Sequence, residues 1–393
     1  MLLSISKSEI MQRQAVFQTR LQQSKLDGAV LFRVADIFYL TGFHFLPTER
    51  PIAFLVDPGQ QTHLFVPELE REHAESTAYV DHVHSYPEYP SLRHPMEYLK
   101  DLLQETHFEG KRLGLDTDGY GSSMGYCGPA FSSLIHLQEK GSLEGWVEEM
   151  RFVKSVAEIE LIRESCRWAN LAHQLLQDYS AVGMREIEVS ARATMEATLI
   201  MADALGPSYK PHGTPANAFF RGQVGPMSAY PHSFTQNIVM KKGNNLVTAA
   251  LADVWGYKSE LERTMFVEEV SPEQEHFFHL MKQAQEVAFG AIKPHIPASK
   301  VDDEVQRFIQ ENNLREYCPH HSGHAIGLLG HEAPFFDLGD HTILKPGMVF
   351  SVEPGIFVKG LGGFRHSDTV VVTETGMEFL TFYPRDLESL ICS

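Results

Sequence analysis

The chain has 393 residues, 43% apolar and 21% charged, with 33 Lys plus Arg against 51 Asp plus Glu, a formal charge of −18. It is long enough for a large core in two or three domains, and an acidic excess with no basic cluster argues against nucleic acid and anionic membrane as partners. The four cysteines, Cys127, Cys166, Cys318 and Cys392, are widely separated and form no CxxC pair, so neither a zinc cage nor a disulfide framework is expected.

The N-terminus MLLSISKSEIMQRQ has neither a basic leader nor an apolar run of signal length, and a cytoplasmic protein is the expectation. Ser6 with Glu9 makes a capping box, after which Ile10, Phe17 and Leu21 recur at helical spacing. DGAVLF at 27–32 is a short apolar run behind a turn signal, followed by IFYLTGFHF; PIAFLV at 51–56 and THLFVP at 62–67 are further strand candidates. This alternation reads as α/β. The His- and Pro-rich stretch from Tyr79 to Pro95 reads as loop.

From about Glu149 long helical patterns begin. Ile159, Ile162 and Cys166 share one side of a helix, and Ile187, Ala191, Met195 and Leu199 mark the inner stripe of a second. Ser271-Pro272 caps a third helix with Phe277, Leu280, Met281, Ala284 and Ala288, and Ser299 with Asp302 starts a fourth with Val301, Val305, Phe308 and Ile309. Two segments between them share a pattern of Lys/Gly turn, strand, Gly-containing bend and returning strand: 241–270 and 344–376. Gly243 corresponds to Gly347 and Thr264 to Thr369, which suggests an internally duplicated domain with a cleft on a pseudo-two-fold axis.

In the first copy, GYKSELERT places Glu260 and Glu262 on one face of a strand, about 6.6 Å apart along the chain. A charged, solvated strand edge is one explanation. The other is a site: Glu353 stands where the first copy has Ala249, Glu262 stands where the second has Ser367, and acids on apolar strands are costly to bury without partners.

Together these segments resemble the pita-bread superfamily of creatinase, prolidase, aminopeptidase P and methionine aminopeptidase. DGAVLF…IFYLTGF resembles the accessory domain of creatinase and prolidase. RFVKSVAEIELIR, YPH at 230–232, GYKSELERT, HSGHAIGLLGHEAP at 321–334, SVEPGIF and GGFRHSDTVVV resemble the catalytic domain. The resemblance implies an α/β (α+β) fold with an accessory domain over 1–150 and a pita-bread catalytic domain over 151–393. The five positions that hold two divalent ions in metal-dependent members read here Ala249, Glu260, His324, Glu353 and Ser367. Two ligands are missing, so no cofactor is the first expectation and a single divalent ion on Glu260, His324 and Glu353 the second.

In lacking ligands, and in its Leu-Glu-Arg-Thr run, the chain is similar to creatinase, the metal-free branch. That similarity implies His232, Glu262, His324 and Glu353 as catalytic residues, the two acids holding a substrate cation. It also implies Arg50, His331, Tyr257 and Arg365 as substrate-binding residues, with Arg50 reaching the partner's pocket in a homodimer. The leading expectation is metal-independent hydrolysis of a C–N bond in a small zwitterionic or amidine-like substrate, with Glu262 replaceable without loss of folding because that relieves repulsion. The alternatives are a metal-dependent Xaa-Pro dipeptidase or aminopeptidase acting on a dipeptide-like substrate, and a non-catalytic peptide-binding protein of the same fold.

Overall fold

The computed structural model describes residues 3–88, 92–121 and 128–393, which form two compact units, Ile5–Met150 and, with the residues preceding Ile5, Arg151–Ser393. Cys127 and residues 89–91 of the expected 79–95 loop lie outside the described residues. The fold is the mixed α/β architecture that the sequence pattern implies, and no helix among the described residues is long and apolar enough to cross a membrane.

The first unit carries a six-stranded sheet in the order His82–Tyr86, Thr62–Pro67, Ala53–Val56, Gly28–Leu31, Arg112–Leu115, Glu139–Ser142. Helix Lys7–Gln23 starts where the Ser6 side chain accepts from the Glu9 amide, and it buries Ile10, Phe17 and Leu21. Two segments depart from the sequence expectation. The apolar IFYLTG run lies in a helix, Val34–Thr41, closed by Gly42 at φ 72°; a short, uniformly apolar segment has no period to separate strand from helix, and a left-handed C-terminal glycine favours the helix. Residues His82–Tyr86, expected as loop, pair in parallel with Thr62–Pro67. Backbone pairing outweighs the weak strand propensity of this edge.

In the second unit an eight-stranded sheet runs Glu332–Phe336, Gly323–Ala325, Val349–Val352, Ser367–Val372, Tyr257–Glu262, Ala249–Val254, Ala216–Phe219, with Met377–Phe379 also on Ser367–Val372. The two similar segments meet in its middle, where Glu262 pairs with Ser367 and Leu261 with Asp368. They do not fold alike throughout: residues Gly355–Val358 and Gly362–Arg365 of the second copy leave the sheet as a separate two-stranded ribbon. Helix Val156–Tyr179 packs on the first hairpin, and its Ser155–Glu158 capping box and that of helix Pro272–Ala291 at Ser271–Gln274 are both complete.

Helix Glu186–Leu205 reverses one expectation. Ile187, Met195 and Leu199 are exposed, while Val189, Ala193, Ala197 and Met201 are buried. The helix has two apolar sides, and the one rich in alanine faces its neighbours because small side chains allow helix Val156–Tyr179 and strand Ala216–Phe219 to come close.

Directly after Glu262 the chain leaves the large sheet at Arg263, which is 0% exposed. Its guanidinium donates to Asp368 at 2.8 Å and to the carbonyls of Glu262, Ser367, Tyr383 and Pro384. Arg263→Leu strips five acceptors at once and leaves the Asp368 charge with only the more distant Arg385 guanidinium, 3.6 Å away. A loss of about 3–5 kcal/mol is expected, read as a lower urea midpoint, while Arg263→Lys recovers only part of it because one ammonium cannot span the same acceptors.

Candidate active site

Glu260 and Glu262 both point into the core from a strand flanked on each side, so they do not guard a solvated edge. Glu260 is held by hydroxyls: Ser351 Oγ donates to its Oε1 at 2.8 Å and Ser367 Oγ reaches the same oxygen at 3.0 Å. Strand pairing opposes Ser367 to Glu262, and Ser351 sits one strand further on.

Glu262 is held by guanidiniums. Arg365 approaches it with Nε and with Nη2, the latter 2.7 Å from Oε1, and Arg221 Nη2 donates to Oε1 at 3.0 Å. Arg365 also lies 3.7 Å from Glu353. Burial pushes the Glu262 carboxyl up to about 7, against the pull of Arg365 and Arg221. The cation facing Glu262 and Glu353 is therefore the protein's own. In place of the substrate cation and the substrate-binding arginine that the sequence led one to expect, Arg365 is an internal counter-ion whose guanidinium is turned to the glutamates.

His324 is fully buried, with Nδ1 against the Ala325 carbonyl at 3.0 Å and Nε2 3.2 Å from Glu353 and 3.9 Å from Glu260. Burial would lower its pKa, but the hydrogen bond to Glu353 and the charges of Glu260 and Glu353 raise it to about 9. Burial likewise opposes ionisation of Glu353, yet the His324 ring and Arg365 hold that carboxyl well below the usual range. His331 stacks on His324, with centroids 3.7 Å apart and planes at 16°, and burial and the neighbouring charge on His324 lower its pKa. The turn carrying His331 is fixed by Glu332, buried between Arg151 and Lys154 at 3.5 Å each and accepting from the Leu329 amide.

A cavity of about 380 Å³ opens onto this centre, with Glu260, Glu262 and His331 at one side and Phe219, Leu251 and Ile326 as an apolar wall. His232 is exposed and close enough to His331 for its charge to be felt there. Tyr257, expected to bind substrate, is buried away from the cavity lining with its hydroxyl on Glu158 at 2.6 Å. Asp253, on the cavity lining, caps the hairpin bend through the Gly256 amide and pairs with Lys258. Arg50 belongs to the first unit, where Glu49 and Glu88 hold its guanidinium at 2.6 and 2.7 Å. Arg221 went unnoticed in the sequence; its only signal is a lone cation in the apolar run Phe219-Phe220-Arg221.

Residues 160–374 match the description Metallopeptidase family M24, and residues 13–153 match the Creatinase/Prolidase N-terminal domain. The chain belongs to metallopeptidase family M24. It is 27% identical over 370 residues to an Xaa-Pro dipeptidase of Pyrococcus horikoshii, covering 93% of this chain and 96% of that one. Among solved structures it superposes on the prolidase from Pyrococcus horikoshii OT3 with a TM-score of 0.79, at 25% identity over 96% of this chain and 99% of that one. An Xaa-Pro dipeptidase from Bacillus anthracis shares the fold with a TM-score of 0.81, at 24% identity over 97% and 99% of the two chains. The protein is thus a hydrolase of a family named for its metal dependence, and the expectation of no cofactor is not supported.

The donors fit one ion better than two. Ligand atoms of Glu260, His324 and His331 lie within 4.8 Å of one another, as do those of Glu260, Glu262 and Glu353. His324 Nε2 is buried and faces both carboxylates, 3.2 Å from Glu353 and 3.9 Å from Glu260. A second ion meets Ala249 and Ser367, and Glu262 is already shared between two guanidiniums.

The same arrangement leads to a different expectation for replacing Glu262. Glu262→Gln leaves Arg365, 3% exposed, without its main counter-charge and costs about 3 kcal/mol of stability instead of relieving repulsion. The melting temperature of the purified variant checks this, and a second replacement, Arg365→Gln, should restore part of the loss.

Proposed function

We propose that this hydrolase cleaves the C–N bond before proline in a small dipeptide-like substrate, with one divalent ion held by Glu260, His324 and Glu353. The observation that carries this reading is the buried His324 Nε2 between two carboxylates, 3.2 Å from Glu353 and 3.9 Å from Glu260, in a chain similar to a protein named Xaa-Pro dipeptidase. With Nδ1–H donated to Ala325, Nε2 would offer its lone pair to an ion that displaces its proton. Such an ion, when bound, supplies Lewis acidity at the scissile carbonyl and a water that deprotonates near neutral pH.

The remaining work falls to the chain. Phe219, Leu251 and Ile326 give an apolar wall on which a proline ring or an aliphatic side chain excludes water. His331, neutral because burial and His324 lower its pKa, orients the carbonyl. His232 returns a proton to the departing nitrogen. Ser351 and Ser367 fix the Glu260 carboxylate so that it does not swing toward Glu262. A homodimer in which Arg50 of a second copy reaches the cavity also belongs to the proposal.

A second reading, hydrolysis without an ion, is favoured by one observation: two serine hydroxyls already answer Glu260, the carboxylate that stands in a ligand position. Dialysis against a strong chelator separates the two. Under the proposal, turnover of Xaa-Pro dipeptides is lost and returns with one equivalent of manganese or cobalt per chain; turnover that survives the chelator favours the second reading. The ion count itself is a further check. The triple replacement Ala249→Asp, Glu262→Thr, Ser367→Glu should raise bound metal from one to two per chain, measured by elemental analysis of folded protein.

A further inference from the structure

Glu262 cannot be the feature that recognises a substrate charge, because its own charge is spent inside the protein. Arg365 meets it through two nitrogens, and that pair alone balances one carboxylate with one guanidinium. Arg221 is then a second cation on the same carboxylate. It comes from a different part of the chain, just after strand Ala216–Phe219, and unlike Arg365 it lines the cavity, with its side chain one-third exposed. Nη2 is engaged by Glu262, while Nε is buried with no hydrogen-bond partner. The guanidinium lies 6.0 Å from the Phe219 ring centre, at the join of the charged side and the apolar wall.

The backbone is arranged for this placement. Arg221 has φ 52° and Gly222 φ 73°, so a residue with a side chain occupies the left-handed region where glycine is usual, at a cost of order 1 kcal/mol. A Cβ on Gly222 would come within 2.1 Å of the Phe234 carbonyl, so the glycine is needed for the chain to turn there and Arg221 is thereby aimed inward. The cavity's other lining cation, Lys258, sits 3.3 Å from Asp253, which neutralises it.

The geometry points to Arg221 as a substrate-binding residue for an anionic group: the substrate of this cavity carries a carboxylate, bound by the Arg221 guanidinium beside the Phe219 wall. This rests on the cavity being the substrate site, as in the proposed function, and places an anionic group, not a substrate cation, beside Glu262. Glu262 positions the guanidinium, and a carboxylate arriving from solution meets donors that are already oriented and not fully used.

The experiment uses three carboxylates, each beside its amide: proline, N-acetylglycine and butyrate, titrated calorimetrically into the full chain. The wild type should bind at least one acid about tenfold or more tightly than its amide. That preference should fall to about one in Arg221→Met and persist in part in Arg221→Lys, which keeps the charge and loses the fork. An unchanged preference in folded Arg221→Met overturns the inference, and so does a wild type that prefers none of the three acids. The two proposals fail separately. A preference that depends on Arg221 in a protein that cleaves no Xaa-Pro dipeptide sinks the proposed function alone. Cleavage with a preference indifferent to Arg221 sinks this inference alone.

Discussion

Three glutamates whose oxygens lie within 4.8 Å of one another are buried in the middle of one sheet, and the rest of the site is arranged around that fact. At an effective dielectric constant of about 20, two unit charges at this separation repel by roughly 3 kcal/mol, so three ionised acids would oppose folding by about 10 kcal/mol. That is comparable with the whole stability of a typical domain. Counter-charge is therefore a condition of the fold. Arg365 reaches Glu262 and lies near Glu353, Arg221 reaches Glu262, and His324 lies against Glu353 and Glu260. The charge shifts on these groups follow from the same competition between burial and close partners.

Strand geometry delivers this arrangement with little side-chain freedom. Glu260 and Glu262 share a face because strand side chains alternate, and the break at Arg263 ends the run before a third side chain can join them. Ser351 and Ser367 come from the two strands that continue the sheet, so the hydroxyls on Glu260 are set by strand pairing. Arg263, pointing away from the acids, binds the strand ends to residues 383–384. The alternation that creates the acidic face also anchors its other side.

Much of this was legible before any coordinates. The α/β class, the main helices and the pair of similar hairpins follow from period, caps and turns, which are local signals. What failed were signals that depend on the partner. The stripe Ile187, Met195, Leu199 is as regular as any buried one, and only the close approach allowed by Ala193 and Ala197 decides which side faces inward. Tyr257 sits in the middle of the most informative motif, yet its hydroxyl is used by Glu158, 99 residues away. At the site, spacing put Glu260 and Glu262 on one strand face, as the strand pairing has them, but did not reveal the sign of the charge opposite them. That charge belongs to Arg221 and Arg365, distant in sequence from each other and from Glu262, and no local pattern carries such a pairing.

The register of the two central strands explains why the missing ligand and the added acid occur together. Glu262 lies directly opposite Ser367 across the strand pair, where side chains on one face are about 4.5–5.5 Å apart at Cβ. A carboxylate at both positions would place two like charges face to face in a dry interior, tolerable only with a cation between them. With serine at 367, the acid occupies one side of the pair, and its counter-charge is covalently part of the chain. A guanidinium cannot activate water or polarise a carbonyl as an ion does, but it needs no loading and it fixes direction through paired N–H donors. One half of the centre, around His324, retains donors suited to an ion. The other half, around Glu262, places the Arg221 guanidinium on the cavity lining.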